Sequence, residues 1–154
     1  MNVRPARDSD ADAIASVLFD EGGFGFQQRE DAEESRRRIR RQAAATVGNE
    51  RASLLVAESG AGTVVGYTAV TWVTCLFLPG DEAYVTELFV RRAARGAGVG
   101  TALLDEVERI ARERGCARLS LLNMRSKESY RRGYYAERGW RERTEAAAFV
   151  KMLD

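Results

Sequence analysis

Apolar residues recur along this chain at two spacings, and the switches between them predict alternating strands and helices. Residues 3–6 read as a short opening strand. Ala11, Ile14, Ala15 and Leu18 then recur at helical spacing, which predicts a helix to about Phe19 capped by Asp8, Ser9 or Asp10. Gly22-Gly23-Phe24-Gly25-Phe26 breaks it. Residues 27–45 are polar and helix-prone, with Ala32, Ile39 and Ala43 as a thin apolar stripe. Residues 53–58 and 63–77 read as strands around the turn Ser59-Gly60-Ala61-Gly62. A further turn at Leu78-Pro79-Gly80-Asp81 leads into a strand over residues 83–90. Val99, Leu103, Val107, Ile110 and Ala111 supply the stripe of another helix, closed by Gly115. Residues 117–124 predict a strand and residues 126–138 a helix. From Trp140 a returning strand is expected, firmest over residues 146–153.

Composition narrows what such a layout can do. A chain of 154 residues is long enough for one core, so a single domain over residues 1–154 is expected. Hydrophobic residues at 45 % and charged residues at 31 % suit an ordinary folded protein. The start lacks a signal-peptide core and no stretch reaches the ~20 apolar residues of a membrane span, which predicts a cytoplasmic protein without membrane partners. The formal net charge is +1, against the basic excess of a dedicated nucleic-acid binder. Arg36, Arg37, Arg38, Arg40 and Arg41 lie within a turn or two of Glu30, Asp31, Glu33 and Glu34, in the order that favours pairing along a solvated helix. Cys75 and Cys116 are too few for a disulfide scaffold and read as buried thiols. The chain has no histidine, which removes His-dependent triads and His-metal sites, and no metal is expected.

Candidate chemistry concentrates at Arg95-Gly96-Ala97-Gly98-Val99-Gly100, between the strand over residues 83–90 and the helix that follows. A glycine-rich turn there leaves backbone N–H groups unobstructed and aims them, with the positive end of the helix dipole, at an anion. No lysine follows the glycines, so the P-loop pattern fails. Thr101 and Leu103 stand where a dinucleotide fingerprint needs glycine. Arg-x-x-Gly-x-Gly does fit, from Arg95 through Gly98 to Gly100, and with Glu87-Leu88-Phe89-Val90 before it and Thr101-Ala102-Leu103-Leu104 behind it resembles the acetyl-CoA pyrophosphate loop of the GNAT N-acetyltransferase superfamily. Tyr134-Tyr135-Ala136-Glu137-Arg138-Gly139-Trp140 resembles that family's second signature.

The resemblance implies an α/β (α+β) fold of order β-α-α-β-β-β-α-β-α-β, with a central mixed twisted sheet of about six to seven strands and about four helices. The strands on either side of the glycine helix are then parallel and splay apart, with pantetheine between them. It implies acetyl-CoA as co-substrate, contacted by Leu88, Phe89, Val90, Arg95, Gly96, Ala97, Gly98, Val99, Gly100 and Thr101. The strand is expected to bulge nearby, and the N–H of Val90 or a neighbour to polarise the thioester. Tyr135 falls on the family's proton donor to the CoA sulfur. Glu128 stands where the family often has Asn, Arg131 where Ala is usual, and Arg92 where the family has Pro.

Acyl transfer to an amine needs a group to take the amine proton, because a lysine-like amine has a pKa of ~10.4. Glu87, on the strand entering the loop, is the first candidate for base or amine ligand; Glu82, or Tyr84 by hydrogen bonding, are the alternatives, and a structural salt bridge is the competing role. Asn123 cannot act as a base, so its candidate role is binding substrate or water. Phe26 and Glu30 are candidate acceptor contacts, in the segment that selects the amine in this family. Partners are then acetyl-CoA and an amine of unread identity, and a homodimer is compatible with the resemblance. A non-catalytic acyl-CoA-binding or interaction module of the same fold is the rival class.

Overall fold

In the computed structural model the described residues are 1–20 and 31–153. They form two compact units, Met1–Leu121 and Leu122–Asp154.

The first unit holds a five-stranded sheet of spatial order β1-β2-β3-β4-β5, built from Asn2–Pro5, Ala52–Glu58, Val64–Val73, Glu82–Val90 and Arg118–Leu121. The first four strands are antiparallel neighbours, and β4 and β5 run parallel, so the sheet is mixed. Helices α1 (Ala11–Asp20) and α2 (Ala32–Thr46) cover one face. Ile14, Ala15 and Val17 of α1 and Ile39 and Ala43 of α2 pack there against Leu54, Val56 and Tyr67. The stripe read from spacing is therefore the buried one, because one helical face in every 3.6 residues meets the sheet. Helix α3 (Val99–Glu113) covers the other face with Val99, Leu103, Leu104, Val107 and Ala111.

Gly66 sets how closely α3 approaches. A Cβ there would lie 2.9 Å from Val99 Cγ1 and 3.0 Å from the Phe89 carbonyl oxygen. Only glycine lets the start of α3 rest on β3 at this distance. At the opposite edge, Arg4 donates to Asp10 at 2.7 Å and to Glu58 at 2.5 Å, tying β1 and β2 to the turn before α1.

Of the basic run in α2, Arg40 pairs with Asp12 and Glu33, Arg36 lies over the Phe19 ring and Arg38 donates to Gln42. Arg40 and Arg36 are thus engaged within the fold. Among the described residues no helix is long and apolar enough to cross a membrane.

The second unit departs from the expected layout. Among the described residues the sheet has five strands rather than six to seven, and residues 141–153 carry no strand. Ala146, Ala147 and Ala148 have little strand propensity, and an extended segment is stabilised only by a neighbour that pairs with it. Phe149, Val150 and Leu153 are correspondingly exposed. The helix expected over residues 126–138 is reduced to α4 (Glu128–Arg131) and a 3-10 turn at Ala136–Arg138. Gly133 interrupts it with a left-handed φ of 68°. Among the described residues there are four α-helices, which fits the expected number.

Candidate functional site

The site is organised by an irregularity in β4. Ala69 of β3 pairs with Glu87, but its neighbour Val70 pairs with Val85, so Thr86 is an extra residue: a β-bulge. The Thr86 hydroxyl secures it by donating to the Ala69 carbonyl at 3.0 Å. In a regular strand residues 85, 87 and 89 would share a face. Here Val85 lies opposite Val70, on the α3 side, whereas Glu87 and Phe89 lie opposite Ala69 and Tyr67, on the α1/α2 side.

Pairing on the other side of β4 ends at the same place. The parallel register with β5 runs from Glu82↔Arg118 to Val85↔Leu121 and stops. Beyond it, the edge of β4 over residues 86–90 meets no strand among the described residues. The Arg91 N–H donates to Val65 of β3 at 2.8 Å, and the Glu87 carbonyl accepts from the Thr68 hydroxyl at 2.8 Å. Strand alternation then turns the N–H groups of Glu87 and Phe89 towards β3 and those of Leu88 and Val90 towards the open edge. Phe89 also packs its ring on Tyr67, centroids 5.7 Å apart.

The chain leaves this edge through a 3-10 turn, Arg92–Ala94, and enters the glycine loop. Hydrogen bonds involving side chains help to hold the turn. Arg91 Nε donates to the Val64 carbonyl at 3.0 Å, the Arg92 N–H donates to the Asp20 carboxylate at 2.7 Å, and Arg95 Nε donates to the Val90 carbonyl at 3.2 Å. Gly96 and Gly98 both have φ of 79°, a conformation open to glycine and costly for residues with a Cβ. Gly98 is the N-cap of α3 and brings no side chain to cap it. The first intrahelical bond after it is Ala102 N–H to the Gly98 carbonyl at 3.0 Å. The N–H groups of Val99 and Gly100 therefore precede the ladder, at the positive end of a 15-residue helix. Ala97 is exposed and Thr101 half-buried in the same turn. Such a loop presents backbone N–H groups at a helix start, an arrangement that suits an anion.

The two carboxylates of β4 differ sharply. Glu87 is exposed and accepts a hydrogen bond from the Tyr67 hydroxyl at 2.6 Å. Glu82, at the far end of the strand, is buried; Arg118 donates to it at 2.7 Å, Ser120 also donates, and Cys75 Sγ lies 3.6 Å away as a weak donor. Burial alone would raise the Glu82 pKa, but Arg118 and Ser120 carry it below the ordinary value. A carboxylate so fully engaged is a structural anion, and Glu82 does not join the loop-side group. Tyr84 is half-buried between them, paired in register with Thr71 and Ser120. Both thiols are half-buried rather than buried as expected; partial burial raises their pKa values, with Glu82 adding to the effect at Cys75 and Asp81 at Cys116. With no histidine to activate them, neither is poised as a nucleophile.

Tyr135 belongs to the second unit, at the start of the Ala136–Arg138 turn. Its ring meets Tyr134 at 5.0 Å and Trp140 at 5.9 Å, both edge-on. Burial, with a contribution from Tyr134 partly offset by Arg138, pushes its pKa up to about 12. Asn123 accepts from the Ser129 hydroxyl at 3.1 Å, while its Nδ2 is buried without a partner. Phe26 and Glu30 lie outside the described residues.

Three contributors escape the sequence reading. Gly66 had a faint signal, an isolated glycine within a strand pattern. Tyr67 and Asp20 had none, because each acts through a residue distant in the chain.

Residues 14–138 match the acetyltransferase (GNAT) family, and the chain belongs to it. Solved structures repeat the fold. One described as a transcriptional regulator from Bacillus halodurans C-125 superposes with a TM-score of 0.82 at 24 % identity, covering 99 % of each chain. The ribosomal-protein-alanine N-acetyltransferase of Brucella melitensis biovar Abortus 2308 gives 0.74 at 20 % identity, covering 99 % of this chain and 100 % of that one. The glucosamine-6-phosphate N-acetyltransferase of Arabidopsis thaliana gives 0.73 at 17 % identity, covering 99 % and 98 %. No curated protein matches this chain. At these identities the structural likeness establishes the fold.

Proposed function

We propose that the protein transfers the acetyl group of acetyl-CoA to an amine by direct attack in a ternary complex. The observation that carries this reading is the bulged strand. Within residues 86–90 it turns a carboxylate to one face, turns two N–H groups to an open edge and runs into a left-handed glycine loop at a helix start. The loop from Arg95 to Gly100 suits the pyrophosphate of acetyl-CoA, and the open edge of β4 suits its amide-bearing arm. The N–H of Val90 or Leu88 is the donor available to a thioester oxygen, where developing negative charge is stabilised most.

Glu87 then takes the proton of the acceptor amine, directly or through one water. Its exposure leaves it accessible, and its hydrogen bond from Tyr67 fixes where the charge sits. Tyr135 protonates the departing thiolate; its raised pKa keeps the phenol protonated across the working range. The acceptor is a cationic amine such as a polyamine, aminoglycoside or lysine side chain, favoured by the acidic run Asp31, Glu33 and Glu34, although Arg40 takes part of Glu33's charge.

Thiol release from acetyl-CoA in the presence of a panel of amines tests the reading, with calorimetry of acetyl-CoA binding beside it. At least one amine is expected to support turnover. Gly98→Glu is expected to abolish binding while the chain remains folded, since the added carboxylate repels an anion in the loop and a Cβ is strained at its left-handed φ. Acetyl-CoA binding without turnover on any amine would establish the non-catalytic module instead. Unchanged affinity in folded Gly98→Glu would remove the loop from the site.

A further inference from the structure

We propose that Tyr67 is a positioning residue for acetyl transfer, holding the Glu87 carboxylate in its working orientation from inside the sheet. This rests on Glu87 acting upon the acceptor amine. The two side chains meet only because the Thr86 bulge changes the phase of β4 and brings Glu87 onto the face that Tyr67 occupies. Tyr67 is 1 % exposed, belongs to the core formed with α1 and α2, and packs against Phe89. A phenol so enclosed cannot touch substrate, so any influence on the reaction passes through Glu87.

Three features suit that task. First, a glutamate at the surface otherwise samples several rotamers, and a 2.6 Å bond to an immobile donor selects one. Second, the bond occupies Oε2, which leaves Oε1 for the acceptor. Third, burial, reinforced by the Glu87 charge, drives the Tyr67 pKa far up, so the hydroxyl donates at every pH at which an amine acetyltransferase works. A relay in which Tyr67 itself gave up its proton would leave a phenolate in an apolar core, a costly state. The hydroxyl is a fixed anchor.

The test is a double-mutant cycle of wild type, Tyr67→Phe, Glu87→Gln and the double variant. It is read as kcat/KM for the acceptor by thiol release, with calorimetric acetyl-CoA affinity as the control for folding. Phenylalanine keeps the ring and its packing on Phe89 and removes only the hydroxyl. Tyr67→Phe is expected to lower acceptor kcat/KM by about 10- to 100-fold, the range set by a hydrogen bond to a charged group. Acetyl-CoA affinity stays at the wild-type value, which a general loosening of the core would not allow. In the Glu87→Gln background the same substitution is expected to change little, because the group it acts through is already disabled. If Glu87→Gln is impaired and Tyr67→Phe matches wild type, or the two losses simply multiply, the positioning role is overturned while the base stands. If Glu87→Gln itself matches wild type, the base assignment falls, and Tyr67 with it.

Discussion

Gly66→Ala probes the link between sheet packing and the anion loop. The added methyl would sit 2.9 Å from Val99 Cγ1, 3.0 Å from the Phe89 carbonyl oxygen and 3.4 Å from Leu103 Cδ1. Ordinary carbon contacts begin at about 3.5 Å, so the first two neighbours must yield by roughly half an ångström. Neither yields easily. Val99 is a stiff β-branched residue, 4 % exposed, in the first turn of α3, and the Phe89 carbonyl is backbone beside the bulge. Overpacking of this kind costs about 1–3 kcal/mol. Restricting the unfolded chain returns about 0.4–1 kcal/mol, because alanine samples fewer backbone states than glycine. The expected net loss is about 1–2 kcal/mol, or a fall in Tm of roughly 2–8 °C for a domain of this size.

The displacement falls on the start of α3, where the loop N–H groups are set, so acetyl-CoA affinity should weaken together with stability. Urea unfolding measures the first effect and calorimetry the second. Val99→Ala removes the nearest clashing atom, so the double variant should lose less than the sum of the single losses. A Gly66→Ala protein with wild-type stability and wild-type acetyl-CoA affinity would refute the close-approach reasoning.

Two further outcomes follow from charge and protonation. Tyr135→Phe should lower kcat by about 10²- to 10⁴-fold with acetyl-CoA affinity unchanged. Because the Tyr135 pKa is pushed up to about 12, the wild-type kcat profile should show no alkaline fall attributable to it until pH nears that value, and a Tyr135-dependent fall near neutrality would contradict the assignment. Arg4→Met should flatten the acid limb of stability. Hydrogen bonds from Arg4 hold Asp10 and Glu58 below their ordinary values of 3.8 and 4.5, so their contribution is present above that range and is lost as pH falls through the depressed folded values. Urea midpoints measured from about pH 7 down to about pH 3 should therefore converge for wild type and variant, and parallel curves would show that the triad does not govern acid stability.

Local pattern in the sequence was enough to place most of the first unit. The stripe of Ile14 and Ala15 and that of Val99, Leu103 and Val107 became the buried faces of α1 and α3, because helical periodicity and burial report the same geometry. The glycines of the loop were legible for a similar reason: a left-handed turn before a helix needs residues without a Cβ, and the chain writes that need into neighbouring positions. The same reasoning failed beyond Leu121. Residues 146–153 read as a strand on their apolar content alone, but a strand exists only through its partner, and none pairs with them among the described residues. Glu87 could be named as a candidate from its place before the loop, yet its face could not. One extra residue at Thr86 reverses the alternation, so Tyr67 rather than α3 meets its carboxylate. Likewise the sequence ranks Glu87 first but leaves Glu82 open as an alternative, and only the tertiary fold, by bringing Arg118 and Ser120 from β5, makes Glu82 a buried structural anion and leaves Glu87 open. Spacing along the chain determines which residues share an element. Which of them meet across elements depends on register, and a single bulge resets it.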